Sequence, residues 1–186
     1  ISLSTTFIDS GFSQALIREQ EAKQEDFSTV FFFNLAMACG LYVLLFFTAP
    51  IISDFFREPK LVDILRILSL VLIINSFGII QRVMLVRRID FKTQTKISII
   101  ASVLSGIVAV SLAYFGFGVW SLVVQTLSMK FIIALLLSVF NKWKPSFVFD
   151  TKSFKRLFKF GSRLLLSGLL NTAYENIYFV IIGKFF

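Results

Sequence analysis

The 186-residue chain contains no histidine and one cysteine, Cys39. Disulfide frameworks and Cys/His zinc sites are excluded, as is any chemistry that uses an imidazole as acid or base. Charge is scarce as well, at 16% of residues, against about 25% in an average soluble domain. What fills the space is hydrocarbon: 56% of the residues are hydrophobic, 24 of them Phe, and the mean hydropathy is +0.82. This composition excludes disorder and leaves a buried or lipid-facing protein, in which no metal site is expected. The net charge of +8 is scattered between apolar blocks, which favours an anionic membrane surface over nucleic acid.

The gaps between charges mark the crossings. Between Asp26 and Asp54 lie 27 uncharged residues, more than the ~20 a helix needs to cross the hydrocarbon, so Phe27–Ile52 is predicted to span. Between Lys96 and Lys130 lie 33 uncharged residues, about 50 Å of helix and too long for one ordinary crossing. Gly116-Phe117-Gly118 divides this run into a hairpin of Ile97–Phe115 and Val119–Phe140. A span over Ile64–Leu85 is feasible if Arg66 and Arg82 bury their stems and reach the two interfaces; a re-entrant segment is the alternative. Phe160–Gly183 is a last, more polar span. Ile1–Ile17 reads as the tail of a further crossing and no initiator Met is present, so the sequence is expected to be a fragment.

Alternating sides, the connections at residues 18–26, 82–96 and 141–159 hold 13 Lys/Arg, whereas the opposite side holds three, Arg57, Lys60 and Arg66. That asymmetry places the first set in the cytoplasm. Within residues 151–160, Phe154, Leu157 and Phe158 share one helical face and Lys152, Lys155, Arg156 and Lys159 another, as expected of a helix lying on the cytoplasmic leaflet. A plain positive-inside anchor explains the same pattern.

Ions at membrane depth are costly and normally face a partner or a wet cavity. Lys130 sits mid-span and reads as a cavity-facing cation; a buried Lys paired with an acid elsewhere is the alternative. Asn171, Tyr174, Glu175 and Tyr178 recur at spacings of three and four in the last span, a polar stripe suited to a pathway, a cation or sugar hydroxyls, or to helix packing. Arg163, in the first cytoplasmic turns, either snorkels or meets a phosphate. Asn75 and Asp9 are weaker candidates. There is no aspartate-rich motif, Gly-rich phosphate loop or catalytic triad, so neither an enzyme nor a bound cofactor is expected from these residues.

Several strings carry a resemblance. Phe7-Ile-Asp-Ser-Gly-Phe-Ser-Gln-Ala-Leu-Ile-Arg18, Glu25-Asp-Phe-Ser-Thr-Val-Phe31, Asn75-Ser-Phe-Gly-Ile-Ile-Gln81 with Arg88-Ile-Asp-Phe-Lys92, Gly116-Phe-Gly-Val-Trp120 and Phe160-Gly-Ser-Arg163 occur in order along the chain. Together they resemble the Wzx-type polysaccharide flippases of the multidrug/oligosaccharidyl-lipid/polysaccharide exporter superfamily. At Lys130 the match is imperfect, because relatives more usually carry a basic residue about a turn later, where Ile133 stands.

The resemblance implies an all-α polytopic bundle of the two-lobed, MATE-like exporter type. Residues 1–141 would form a partial N-terminal lobe from the end of helix 2 to helix 6. Residues 142–159 would be a basic amphipathic cytoplasmic linker, and residues 160–186 the first helix of the second lobe. It implies a transporter in the bacterial cytoplasmic membrane that flips polyprenyl-pyrophosphate-linked oligosaccharide by alternating access, among membrane lipids and with a coupling ion as a further partner. Lys130 and Arg163 would attract the pyrophosphate, and Asn171, Tyr174, Glu175 and Tyr178 would face the glycan or the ion. A drug or cation exporter of the same superfamily, or part of an integral-membrane glycosyltransferase or polymerase, are the competing readings.

Overall fold

Long uncharged runs become long helices in the computed structural model of the chain, which describes residues 11–19 and 21–185; for residues 160, 169, 173 and 175–185 only the backbone is described. The helices are α1 (Gly11–Arg18), α2 (Gln24–Phe56), α3 (Leu61–Leu68), α4 (Leu70–Arg87), α5 (Phe91–Tyr114), α6 (Val119–Asn141) and α7 (Thr151–Phe185). Among the described residues, four helical stretches are long and apolar enough to cross a membrane: 24–56, 61–87, 91–114 and 119–141. These match the four crossings expected up to Phe140. The last expected span lies within α7, and of the partial one, residues 1–10 lie outside the described residues.

Each boundary has a local cause. The Lys23 amide donates to the Asp26 carboxylate at 2.8 Å, which occupies one of the unpaired amides that precede α2, and Glu25 and Asp26 place negative charge at the helix's positive end. At the other end Arg57 adopts a left-handed φ of 57°. The α5–α6 turn is made at Gly116 and Gly118, with φ of 83° and 52°, which an L side chain rarely adopts. Only Ser69 separates α3 from α4, and its hydroxyl donates to the Arg66 carbonyl at 2.8 Å. The two pieces form one rod of 27 residues, and the re-entrant alternative is not what is found.

Pro50 sits inside α2 and has no N–H to offer the Phe46 carbonyl four residues earlier. Arg66 answers that carbonyl, with Nε at 3.4 Å and its guanidinium 4.3 Å above the Phe46 ring. The expected role of Arg66 as an interfacial anchor gives way to a contact between helices. Arg82 likewise lies inside α4, which continues to Arg87.

In space, α2 packs on α3 and α4, α4 on α6, α6 on α5, and α7 lies against α1 and α2. Among the described residues α5 and α6 do not touch α7. Ile97, Ala101, Ser105 and Ala109 form the buried stripe of α5, small side chains that let α6 approach closely. The opposite face of α5, with Ile99, Val103, Ile107 and Val110, is exposed, as a lipid-facing surface is when no lipid covers it.

The charge-based grouping of connections is visible in the contacts. The residue 18–24 and 142–150 connections touch through Gln24 Nε2 to the Lys144 carbonyl at 2.8 Å, and Arg87 at the end of α4 lies 5.3 Å from the Phe27 ring centre. At the far end, Glu58 and Lys60 share a pocket with Phe117, Gly118 and Trp120. The basic connections therefore cluster at one end of the bundle and the others at the opposite end.

Candidate functional site

At the basic end, polar residues in the first turns of α2 hold residues 143–150. Trp143 Nε1 donates to Gln24 Oε1 at 2.7 Å, and Ser146 donates its amide to Ser28 Oγ at 3.0 Å. The Asp150 amide donates to Thr29 Oγ1 at 3.0 Å. Asp150 then caps α7, accepting from the Ser153 amide at 2.9 Å and the Ser153 hydroxyl at 2.6 Å. The Ser153 hydroxyl and amide, with the Lys152 amide and charge, hold the Asp150 carboxyl below its ordinary pKa. Asp90 caps α5 in the same way, lowered by the Thr93 hydroxyl and amide.

Asp26 is the centre of this clasp. It is 2% exposed and accepts from Arg156 Nη2 at 2.7 Å as well as from the Lys23 amide. Glu19 approaches the same guanidinium at 3.9 Å. A buried carboxylate requires this pairing, because unpaired it would bear most of its desolvation cost. In the sequence Arg156 reads only as part of a basic face. The signal that was there is the acidic first turn of α2, and its partner 130 residues away has no local signature.

The apolar face of residues 151–160 meets protein. Leu157 is buried, and Phe154 stacks on Phe12 with ring centres 5.7 Å apart. These residues are the first turns of α7 itself, since the helix runs unbroken through Gly161. The helix lying flat on the leaflet is therefore replaced by one that enters the bundle. Gly161 is retained in mid-helix for close approach: a Cβ there would lie 2.9 Å from both C and O of Gly11. The two helices thus cross at two glycines.

Of the residues expected to line a pathway, α7 carries Arg163, Asn171 and Tyr174, and all three are exposed. Leu166 and Leu170 are exposed between them, on the side opposite the Leu157–Gly161 contact. Glu175 and Tyr178 belong to α7, but their side chains lie outside the described residues. Lys130 is on α6 and half-buried. It shares a helical face with Val123, Ala134 and Leu137, all buried, and the last two face Gly78 of α4. It is turned away from the exposed row of Leu122, Phe131, Leu135 and Val139, and it makes no ion pair among the described residues. Because α6 and α7 do not touch among the described residues, Lys130 and Arg163 are not brought together. Asn75 is buried on α4, and Asp9 lies outside the described residues.

A second feature has no counterpart in those expectations. Between α1 and α4, near the basic end, lies a cavity of about 340 Å3 lined by Ser13, Gln14 and Arg82 with Ile79, Val83 and Val86.

The whole chain, residues 1–186, matches the polysaccharide biosynthesis protein family. The chain belongs to that family. It is 33% identical over 180 residues to the teichuronic acid biosynthesis protein TuaB of Bacillus subtilis, covering 96% of this chain and 37% of TuaB. It is 29% identical over 175 residues to the succinoglycan biosynthesis transport protein ExoT of Rhizobium meliloti, covering 94% and 35%. Against the lipopolysaccharide biosynthesis protein WzxC of Escherichia coli it is 22% identical over 189 residues, covering 99% and 38%. No solved structure matches the chain. The resemblance to Wzx-type polysaccharide flippases is thus upheld, for a multi-pass helical membrane protein whose sequence spans a little over a third of these relatives.

Proposed function

We propose that the protein containing this chain flips polyprenyl-pyrophosphate-linked oligosaccharide from the cytoplasmic to the periplasmic leaflet of the bacterial inner membrane, by alternating access and without enzymatic chemistry. One observation carries the reading: α7 presses its Gly161 side onto α1 and leaves the face with Arg163 and Tyr174 uncovered. A cation in the first cytoplasmic turns and a phenol farther along the same exposed helix face suit an anionic, sugar-bearing substrate. Family membership and relatives named for polysaccharide biosynthesis and transport support the same substrate class.

In this reading residues 11–141 belong to one lobe, and α7, entering through the clasp at residues 142–150, opens the second. Rocking of rigid bundles about the α1–α7 crossing would expose the face of α7 to each side in turn. Lys130 and Arg163 attract the pyrophosphate from separate helices, and Asn171, Tyr174, Glu175 and Tyr178 face the glycan or a coupling ion. The test is glycolipid translocation by the reconstituted full-length protein. Neutralising Lys130 and Arg163 together is expected to abolish transport with expression preserved; unchanged transport overturns the assignment.

A further inference from the structure

The cavity between α1 and α4 has the chemistry of an anion site. Ile79, Arg82, Val83 and Val86 follow one another at helical spacing along one face of α4, and Ser13 and Gln14 approach from α1. Among the described residues, the half-buried Arg82 makes no ion pair and no carboxylate lines the cavity. Ser13 is 9% exposed, yet its hydroxyl is occluded and has no hydrogen-bond partner among the described residues. Buried polar atoms are normally satisfied, and one that is not points to something missing. The charged basin around Asp26 offers a contrast. It holds Glu21, Glu25, Asp26 and Asp150 beside Lys23, Lys152 and Arg156, so its charges already answer one another.

Depth narrows the choice of anion. Arg82 stands five residues before the end of α4, about 7.5 Å of helix, which is where lipid headgroups meet hydrocarbon at the basic end. The isoleucine and valines beside it offer an apolar wall for a chain attached to the anion. Three donors from two helices, one of them a guanidinium fork, suit two linked phosphoryl groups better than a single phosphodiester. We propose that this cavity docks a lipid-borne diphosphate, with Arg82 as the ion-pairing group and Ser13 and Gln14 as hydrogen-bond donors. The choice of a carrier diphosphate over an ordinary phospholipid rests on the transport reading above, whereas the anion site itself does not.

The test measures binding by the full-length protein in nanodiscs of zwitterionic lipid, with sugar-free polyprenyl diphosphate in one arm and phosphatidylglycerol in the other. Arg82→Gln is expected to weaken polyprenyl diphosphate binding about tenfold or more, the size of one lost charge-assisted hydrogen bond. Arg88→Gln, which removes an exposed charge from the same end of the bundle, is expected to leave it within twofold. Ser13→Ala removes a hydroxyl that has no partner among the described residues, so the fold should tolerate it while affinity falls about threefold or more. Ser13→Ala also keeps the proposal testable if Arg82→Gln fails to fold. Unchanged diphosphate affinity in these variants overturns the proposal, and so does an equal loss of phosphatidylglycerol binding, which makes the cavity a general headgroup contact. Because no glycan and no translocation enter the measurement, its failure is separable from failure of the transport function.

Discussion

Gly11 of α1 and Gly161 of α7 meet backbone to backbone. A Cβ on Gly161 would sit 2.9 Å from the Gly11 carbonyl carbon and oxygen, a contact that backbone cannot relieve by rotating a side chain. Gly161→Ala is therefore expected to force α1 and α7 apart and to destabilise the full-length protein by about 1–3 kcal/mol, the usual cost of overpacking. Gly106→Ala is the control, since a Cβ there meets nothing within 4 Å; Ala is also the better helix former. Thermal unfolding in detergent separates the two. A Gly161→Ala protein as stable as Gly106→Ala would mean that the crossing is looser than described.

Asp26 and Arg156 make a pair with one buried partner and one half-exposed one. Removing the cation from a buried pair costs about 3–5 kcal/mol, and the exposure of Arg156 reduces this to roughly 2 kcal/mol for Arg156→Gln. Asp26→Asn in the same background should cost little more, because the remaining carboxamide needs no counter-charge. A double-mutant cycle on unfolding free energy reads the coupling. Additive effects would remove the ion pair from the account of how residues 142–150 are held.

Much of this architecture is legible in the sequence because lipid imposes a crude rule. A run such as Phe27–Ile52 has nowhere else to go, Gly116 and Gly118 have conformations few other residues share, and counting Lys and Arg groups the connections correctly. The candidate site is less legible for an equally physical reason. Asp26 finds Arg156 and Ser28 finds Ser146 across more than 100 residues, and no periodicity encodes such partners. Residues 151–160 show the limit of amphipathicity: the pattern of Phe154 and Leu157 says that one face is covered, and only packing says whether lipid or α1 covers it. The uncharged run stops at Arg82, which marks it as a snorkelling end-residue by pattern alone, although α4 goes on for another turn.

Asp150 lends the start of α7 a dependence on pH. Its carboxyl is held below the ordinary value by bonds from Ser153 and Lys152 that exist only when the helix is formed. A group with a depressed folded pKa stabilises fully above its unfolded value, about 3.9, and loses that contribution as pH falls through the folded one. Amide exchange at Lys152 and Ser153 is expected to accelerate relative to mid-helix amides as pH drops below about 4. Asp150→Asn keeps a capping side chain and should abolish the dependence while retaining protection at neutral pH. The same acceleration in Asp150→Asn would assign the effect to another carboxylate.

Pro50 and Arg66 offer the last test, and its logic depends on their being coupled. Pro50 frees the Phe46 carbonyl, and Arg66 answers it from α3 at 3.4 Å while lying 4.3 Å over the Phe46 ring. Arg66→Met loses both contacts and is expected to destabilise by about 1–2 kcal/mol, with the hydrogen bond and the cation–π contact in comparable shares. Pro50→Ala restores an amide to the ladder, which satisfies the carbonyl within α2. In that background Arg66→Met should cost only the ring contact, about 1 kcal/mol or less. Unfolding free energies of the two single variants and the double variant decide the matter. If Arg66→Met costs the same with and without the proline, the guanidinium does not serve the carbonyl, and the bond left open by Pro50 is closed by other means.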